Sequence, residues 1–79
     1  MSARPLKRSL TLHGHRTSVS LEEPFWRELR RMAEAEGVAL NALAQRIDEA
    51  RGVPGSEGGE AGLASAIRVW VLERALEGR

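Results

Sequence analysis

The sequence predicts a mostly α-helical domain with a short β-ribbon near its N-terminus. Three observations predict it. Two early stretches, "SLTLH" (Ser9–His13) and "RTSVSLE" (Arg16–Glu22), alternate apolar and polar residues with period two. Two acids and a proline then open a segment with apolar spacings of three and four, which a glycine closes. Two further segments repeat that helical spacing. With 79 residues and no cysteine, the chain is one small domain without disulfides or thiolate metal sites. A domain this short gains core most readily from a second chain.

Residues 1–7 read as a flexible basic tail, and residues 8–76 as the single domain. In the second alternating run Thr17, Val19 and Leu21 share one face, and Arg16, Ser18 and Ser20 the other. Gly14 can take the positive φ of a tight turn. The two runs are therefore either a hairpin turning at "HGHR" or one bent strand, and periodicity leaves both open.

The first helix begins at Pro24, with Glu22 and Glu23 where the helix dipole favours acids. Phe25, Leu29, Met32 and Ala33 share its apolar face, Trp26 flanks it, and Gly37 is its C-terminal cap. In "VALNALAQRIDEAR" a second helix carries the stripe Leu40, Leu43, Ala44 and Ile47. "GVPGSEGGEAG" (52–62) holds five glycines and a proline and reads as a loop. A third helix runs from about 63 to 76. Its apolar side is broad, with Leu63, Ile67, Trp70 and Val71 joined by Ala66, Val69 and Leu72. A lone chain would cover that side poorly, so it packs in the core or across a dimer interface. No internal repeat or heptad of useful length is present.

The net charge of +1 hides an asymmetry. Residues 1–16 hold Arg4, Lys7, Arg8 and Arg16 and no acid, while the rest of the chain sets eight arginines against eleven acids, a net −3. A basic arm on a mildly acidic body is a footprint of nucleic-acid binding, although short basic termini also serve solubility alone. No apolar run approaches the ~18 residues of a membrane span, and "MSARPLKRS" lacks the apolar segment of a secretory signal. A cytoplasmic protein is expected. Catalysis is not: there is no cysteine nucleophile, no glycine-rich phosphate motif, and Asp48 is the one aspartate. His13 and His15 flank a glycine with no acid near them in sequence, which is an incomplete metal-ligand set. No metal or other cofactor is expected.

A strand joined directly to a Trp-bearing helix, then a short glycine turn and a second helix, resembles the ribbon-helix-helix DNA-binding domain of the Arc/MetJ type. "RTSVSLEEPFWRELRRMAEAEGVALNALAQRIDEA" (16–50) carries the resemblance. The wider pattern "KRSLTLHGHRTSVSLEEPFW…LASAIRVWVLE" is similar to a bacterial subfamily with an added C-terminal helix. The resemblance implies an intertwined homodimer in which each chain gives one strand and the antiparallel pair enters the DNA major groove. It implies base contacts from Arg16, Ser18 and Ser20. It places a backbone phosphate at the start of the second helix, at Leu40 and Asn41, although Ala39 stands where a capping serine or threonine is common. Lys7, Arg8 and His15 suit phosphates at the rim. The dimer core would comprise Val19, Leu21, Trp26, Leu43, Ile47, Ile67 and Trp70.

The function expected is a homodimeric, sequence-specific DNA-binding protein, a transcriptional regulator and repressor. The alternative is a protein-interaction module, such as an antitoxin or assembly subunit, using the apolar helix 63–76.

Overall fold

The computed structural model describes residues 4–50 and 59–78, with side chains of the last helix from Gly62 onward. Its order is β1 (Pro5–Leu12), β2 (His15–Glu22), α1 (Glu23–Glu36), α2 (Leu40–Ala50) and α3 (Gly59–Glu77).

The choice between hairpin and bent strand is settled by the turn. His13 and Gly14 both have positive φ, 53° and 78°. A two-residue loop with both central residues positive matches the right-handed twist of the strands it joins. A histidine there is strained, and the fold holds it from outside. Its N–H donates to Gln45 Oε1 at 3.1 Å, and its Nε2 lies 3.4 Å from Asp48 Oδ2.

β1 and β2 pair antiparallel from Leu12 opposite His15 to Pro5 opposite Glu22. One alternative is settled and one expectation is corrected here. β2 pairs along one edge with β1 of the same chain, as a hairpin. Pro5, Leu6 and Lys7 belong to β1 rather than to a flexible tail, because the register runs on to Glu22 and the Leu6 carbonyl accepts the Trp26 indole N–H at 2.9 Å. Residues 1–3 lie outside the described residues.

β2 passes into α1 without a loop. The C-terminus of α1 is closed by Gly37 at φ 72°: the Gly37 N–H reaches the Glu34 carbonyl and the Val38 N–H the Ala33 carbonyl. These are the paired bonds of a Schellman cap. Trp26 is fully buried in the centre of the core while Phe25 is only partly buried, so Trp26 does not merely flank the apolar face. An ion pair between Arg46 and Glu36 ties α2 to the end of α1.

α3 begins at Gly59, earlier than expected, so 59–62 are helical rather than part of a loop. The remainder of that expected loop, 52–58, lies outside the described residues. Leu63, Ala64, Ile67 and Val71 are buried against the hairpin and the other helices. The core that this makes takes Leu10, Leu12, Val19 and Leu21 from one face of the hairpin. Val19, Leu21, Trp26, Leu43, Ile47 and Ile67 are buried within the single chain, and α3 contributes part of that cover. Trp70 is partly buried, with the Arg74 guanidinium 4.9 Å from its ring centroid. Among the described residues no helix is long and apolar enough to cross a membrane.

Candidate nucleic-acid interface

The pleat sorts the hairpin into two faces. Leu10, Leu12, Val19 and Leu21 point inward, so the residues between them point outward. The register then sets three outward pairs side by side: Lys7 with Ser20, Ser9 with Ser18, and Thr11 with Arg16. Lys7, Ser9, Thr11 and Arg16 are exposed, and Ser18 and Ser20 are half-buried. Every member is a cation or a hydroxyl, and hydroxyls can donate or accept at base edges.

Arg16, Ser18 and Ser20 therefore share one face, and Lys7 lies on it too. Ser9 and Thr11, on the same face, are missing from the set expected on sequence. The signal that finds them is the strand pairing, since one strand's alternation says nothing of its neighbour. Arg8 goes to the opposite face, where its guanidinium lies 5.6 Å from the Trp26 ring centroid. His15 is exposed at the hairpin tip, opposite Leu12.

The next outward position of β2 is an acid, Glu22, opposite Pro5 at the open end. Arg68 of α3 reaches it through Nε at 2.9 Å and Nη2 at 3.2 Å. These hydrogen bonds hold the Glu22 carboxyl below its ordinary value. Arg68 Nη2 also donates to the Ser20 carbonyl at 3.3 Å, so α3 grips the free edge of β2. Glu22 stays ionised, and Arg68 balances its charge locally.

α2 grips the other edge. Asn41 Oδ1 accepts the Thr11 N–H at 3.3 Å, and Gln45, one turn on, accepts that of His13. The first helical bond runs from the Leu43 N–H to the Ala39 carbonyl, which makes Ala39 the N-cap without a side-chain oxygen. Its place beside β1 brings the N–H groups of Leu40 and Asn41, which an α-helix leaves without intrahelical partners, to the rim of the ribbon. The Asn41 side-chain oxygen is spent on the strand.

His13 and His15 do not form a metal site together. The fold brings acids to His13 that the sequence keeps distant: Asp48 faces Nε2 and Glu49 Oε2 lies 4.0 Å from Nδ1. The two carboxylates meet different ring nitrogens, and no cluster among the described residues offers three converging ligands.

No curated protein matches the chain. Among solved structures, it is similar to an uncharacterized protein from Bordetella pertussis Tohama I, at 32% identity and a TM-score of 0.72. The match covers 91% of this chain but 56% of that one, so this chain spans little more than half the length of that protein. The family model of the ribbon-helix-helix domain matches residues 5–75. Domains of that family in general bind DNA, regulate transcription, form dimers and carry no catalysis. On the two-stranded ribbon, the helix pair that follows it and a match over nearly its whole length, the chain belongs to the ribbon-helix-helix domain family.

Proposed function

We propose that the chain is a cytoplasmic, homodimeric transcriptional repressor that reads a specific DNA sequence with the outward face of its hairpin in the major groove. The observation that carries this is the in-register set of cations and hydroxyls, with the one acid of the face, Glu22, paired to Arg68. A major groove about 12 Å wide admits a two-stranded ribbon. Arg16 would bond guanine O6 and N7, and Ser18 and Ser20 would contact neighbouring base edges. His15 and the N–H groups of Leu40 and Asn41 would meet phosphates, the last two with the favourable end of the helix dipole behind them.

Binding of Arg16→Ala to a selected site and to unrelated DNA tests this reading. The expected outcome is a loss of about 1–3 kcal/mol in discrimination at one base position. Unchanged discrimination would remove Arg16 from the base-reading set.

A second reading, an interaction module such as an antitoxin or assembly subunit, is favoured by one observation. Val69, Leu72 and Leu76 lie at spacings of three and four on α3 and are 54%, 55% and 47% exposed. Co-purification from the native host separates the two: a stoichiometric second protein supports the module, and a clean homodimer supports the regulator.

A further inference from the structure

The two strands of the hairpin are chemical copies of each other. "KRSLTL" (7–12) and "RTSVSL" (16–21) share a cation, a serine, an aliphatic residue, a second hydroxyl and a leucine in the same order. Each residue matches the one nine positions later, apart from Arg8 and Thr17. Six residues at an offset of nine carry little weight in a sequence. The register gives them meaning, because Ser9 sits opposite Ser18, which are also nine apart. An antiparallel pair has a local two-fold axis through the middle of each facing pair. Here that axis carries Lys7 onto Arg16, Ser9 onto Ser18 and Thr11 onto Ser20. It also carries buried Leu10 and Leu12 onto buried Val19 and Leu21. The three outward pairs and the buried aliphatic residues obey it, and on the inward side Arg8 and Thr17 do not.

We infer that the hairpin is a two-fold reading surface built within one chain, in which Lys7, Ser9 and Thr11 contact base edges as counterparts of Arg16, Ser18 and Ser20. The inference rests on the DNA reading proposed above and changes the role of Lys7. A rim phosphate contact is no longer its place: it is the second guanine-reading cation, since lysine as well as arginine can bond guanine O6 and N7. Lys7 and Arg16 stand four residues apart along the ribbon, about 14 Å at ~3.4 Å per residue. At ~3.4 Å per base along a strand, that spans about four base pairs. One chain would then recognise a short, nearly palindromic element with a guanine at each end, on opposite strands. The match is imperfect, lysine for arginine and threonine for serine, so the two ends are read with unequal strength.

Selection of bound DNA from a random pool tests this, run on the full chain and on its Lys7→Ala and Arg16→Ala variants. The full chain should enrich that short element. Lys7→Ala should lose preference at one guanine by at least about fivefold and keep the other, and Arg16→Ala should do the reverse. If Lys7→Ala enriches the same element with only a uniform loss of affinity, Lys7 is a phosphate contact and the inference fails while the DNA reading stands. If the unaltered chain enriches nothing, the DNA reading itself fails and the inference falls with it. The one-chain origin has its own test, because the protein has no cysteine. The Leu12–His15 pair that closes the tight turn is a hydrogen-bonded one, so alternation along the register makes Ser9–Ser18 a non-hydrogen-bonded pair, with Cα atoms about 4.5 Å apart. That distance suits a disulfide. Mild oxidation of Ser9→Cys/Ser18→Cys should give a cross-linked species of single-chain mass on a non-reducing gel. Disulfide-linked dimers would show that the two strands come from different chains and overturn the inference.

Discussion

Trp26→Phe examines the joint between the ribbon and the helices. Trp26 is fully buried, its indole N–H donates to the Leu6 carbonyl at 2.9 Å, and Arg8 lies over its ring. Phenylalanine keeps an aromatic ring but loses the hydrogen bond and part of the packing and ring–cation contact. The lost hydrogen bond is worth about 1 kcal/mol. The cavity left by the smaller ring costs about 1 kcal/mol more. Arg8 is exposed, so its attraction to the ring contributes only about 0.5 kcal/mol. The expected destabilisation is therefore about 2–3 kcal/mol, a large share of what a domain this size has in total. Tm should fall by roughly 10–20 °C at 4–8 °C per kcal/mol. Urea unfolding followed by far-UV circular dichroism measures this without relying on the fluorescence of the residue replaced. Trp26→Phe/Arg8→Ala beside the single variants reads the part of the ring–cation contact that phenylalanine loses, a coupling of at most about 0.5 kcal/mol. A Trp26→Phe protein within about 0.5 kcal/mol of the original would refute the view that this indole seals the open end of the hairpin.

Other outcomes follow from single sites. Gly37→Ala should cost about 1 kcal/mol in urea unfolding, all of it backbone strain, because a Cβ there meets nothing within 4 Å; Gly37→Asn should cost less. Since Arg68 depresses the Glu22 carboxyl, the stability it provides is present above the ordinary value of 4.5 and is lost as pH falls through the lowered one. Glu22→Gln should flatten that part of the acid limb in a stability–pH profile, and an unchanged limb would refute the clamp. Leu72→Lys should leave Tm within about 2–4 °C of the original, because Leu72 is 55% exposed in the single chain; collapse of the fold would mean that α3 needs a covering partner.

The helices were legible because their signals are local. Gly37 ends α1 by its own φ, and the stripe Leu43, Ala44 and Ile47 is buried as its spacing requires. The hairpin was not, because its turn is made by His13 and Gly14 rather than by asparagine and glycine. The left-handed conformation of His13 is supported by Gln45 and Asp48, more than thirty residues away in sequence. The same distance hid half of the outward face. Ser9 and Thr11 acquire a role only once β1 lies beside β2, and Arg8 falls on the inward side because it shares the parity of buried Leu10 and Leu12. The broad apolar side of α3 left packing in the core and across a dimer interface both open, and the hairpin and both preceding helices bury one half of it within the chain.

How wide the ribbon can become decides whether it still fits the groove. A strand edge normally invites another strand, and a sheet of four strands would exceed a groove that admits two. Both edges of this hairpin are held at specific points. On β1 the Thr11 N–H is taken by Asn41, in the turn the His13 N–H by Gln45, and on β2 the Ser20 carbonyl by Arg68. A second copy adding its strand to either edge would have to break these bonds first. These edge contacts come from α2 and α3, and α3 also carries the exposed stripe Val69, Leu72 and Leu76. Dimerisation through a ribbon edge and the proposed reading of DNA by a two-stranded ribbon would therefore compete, and the side-chain contacts of Asn41, Gln45 and Arg68 oppose the first.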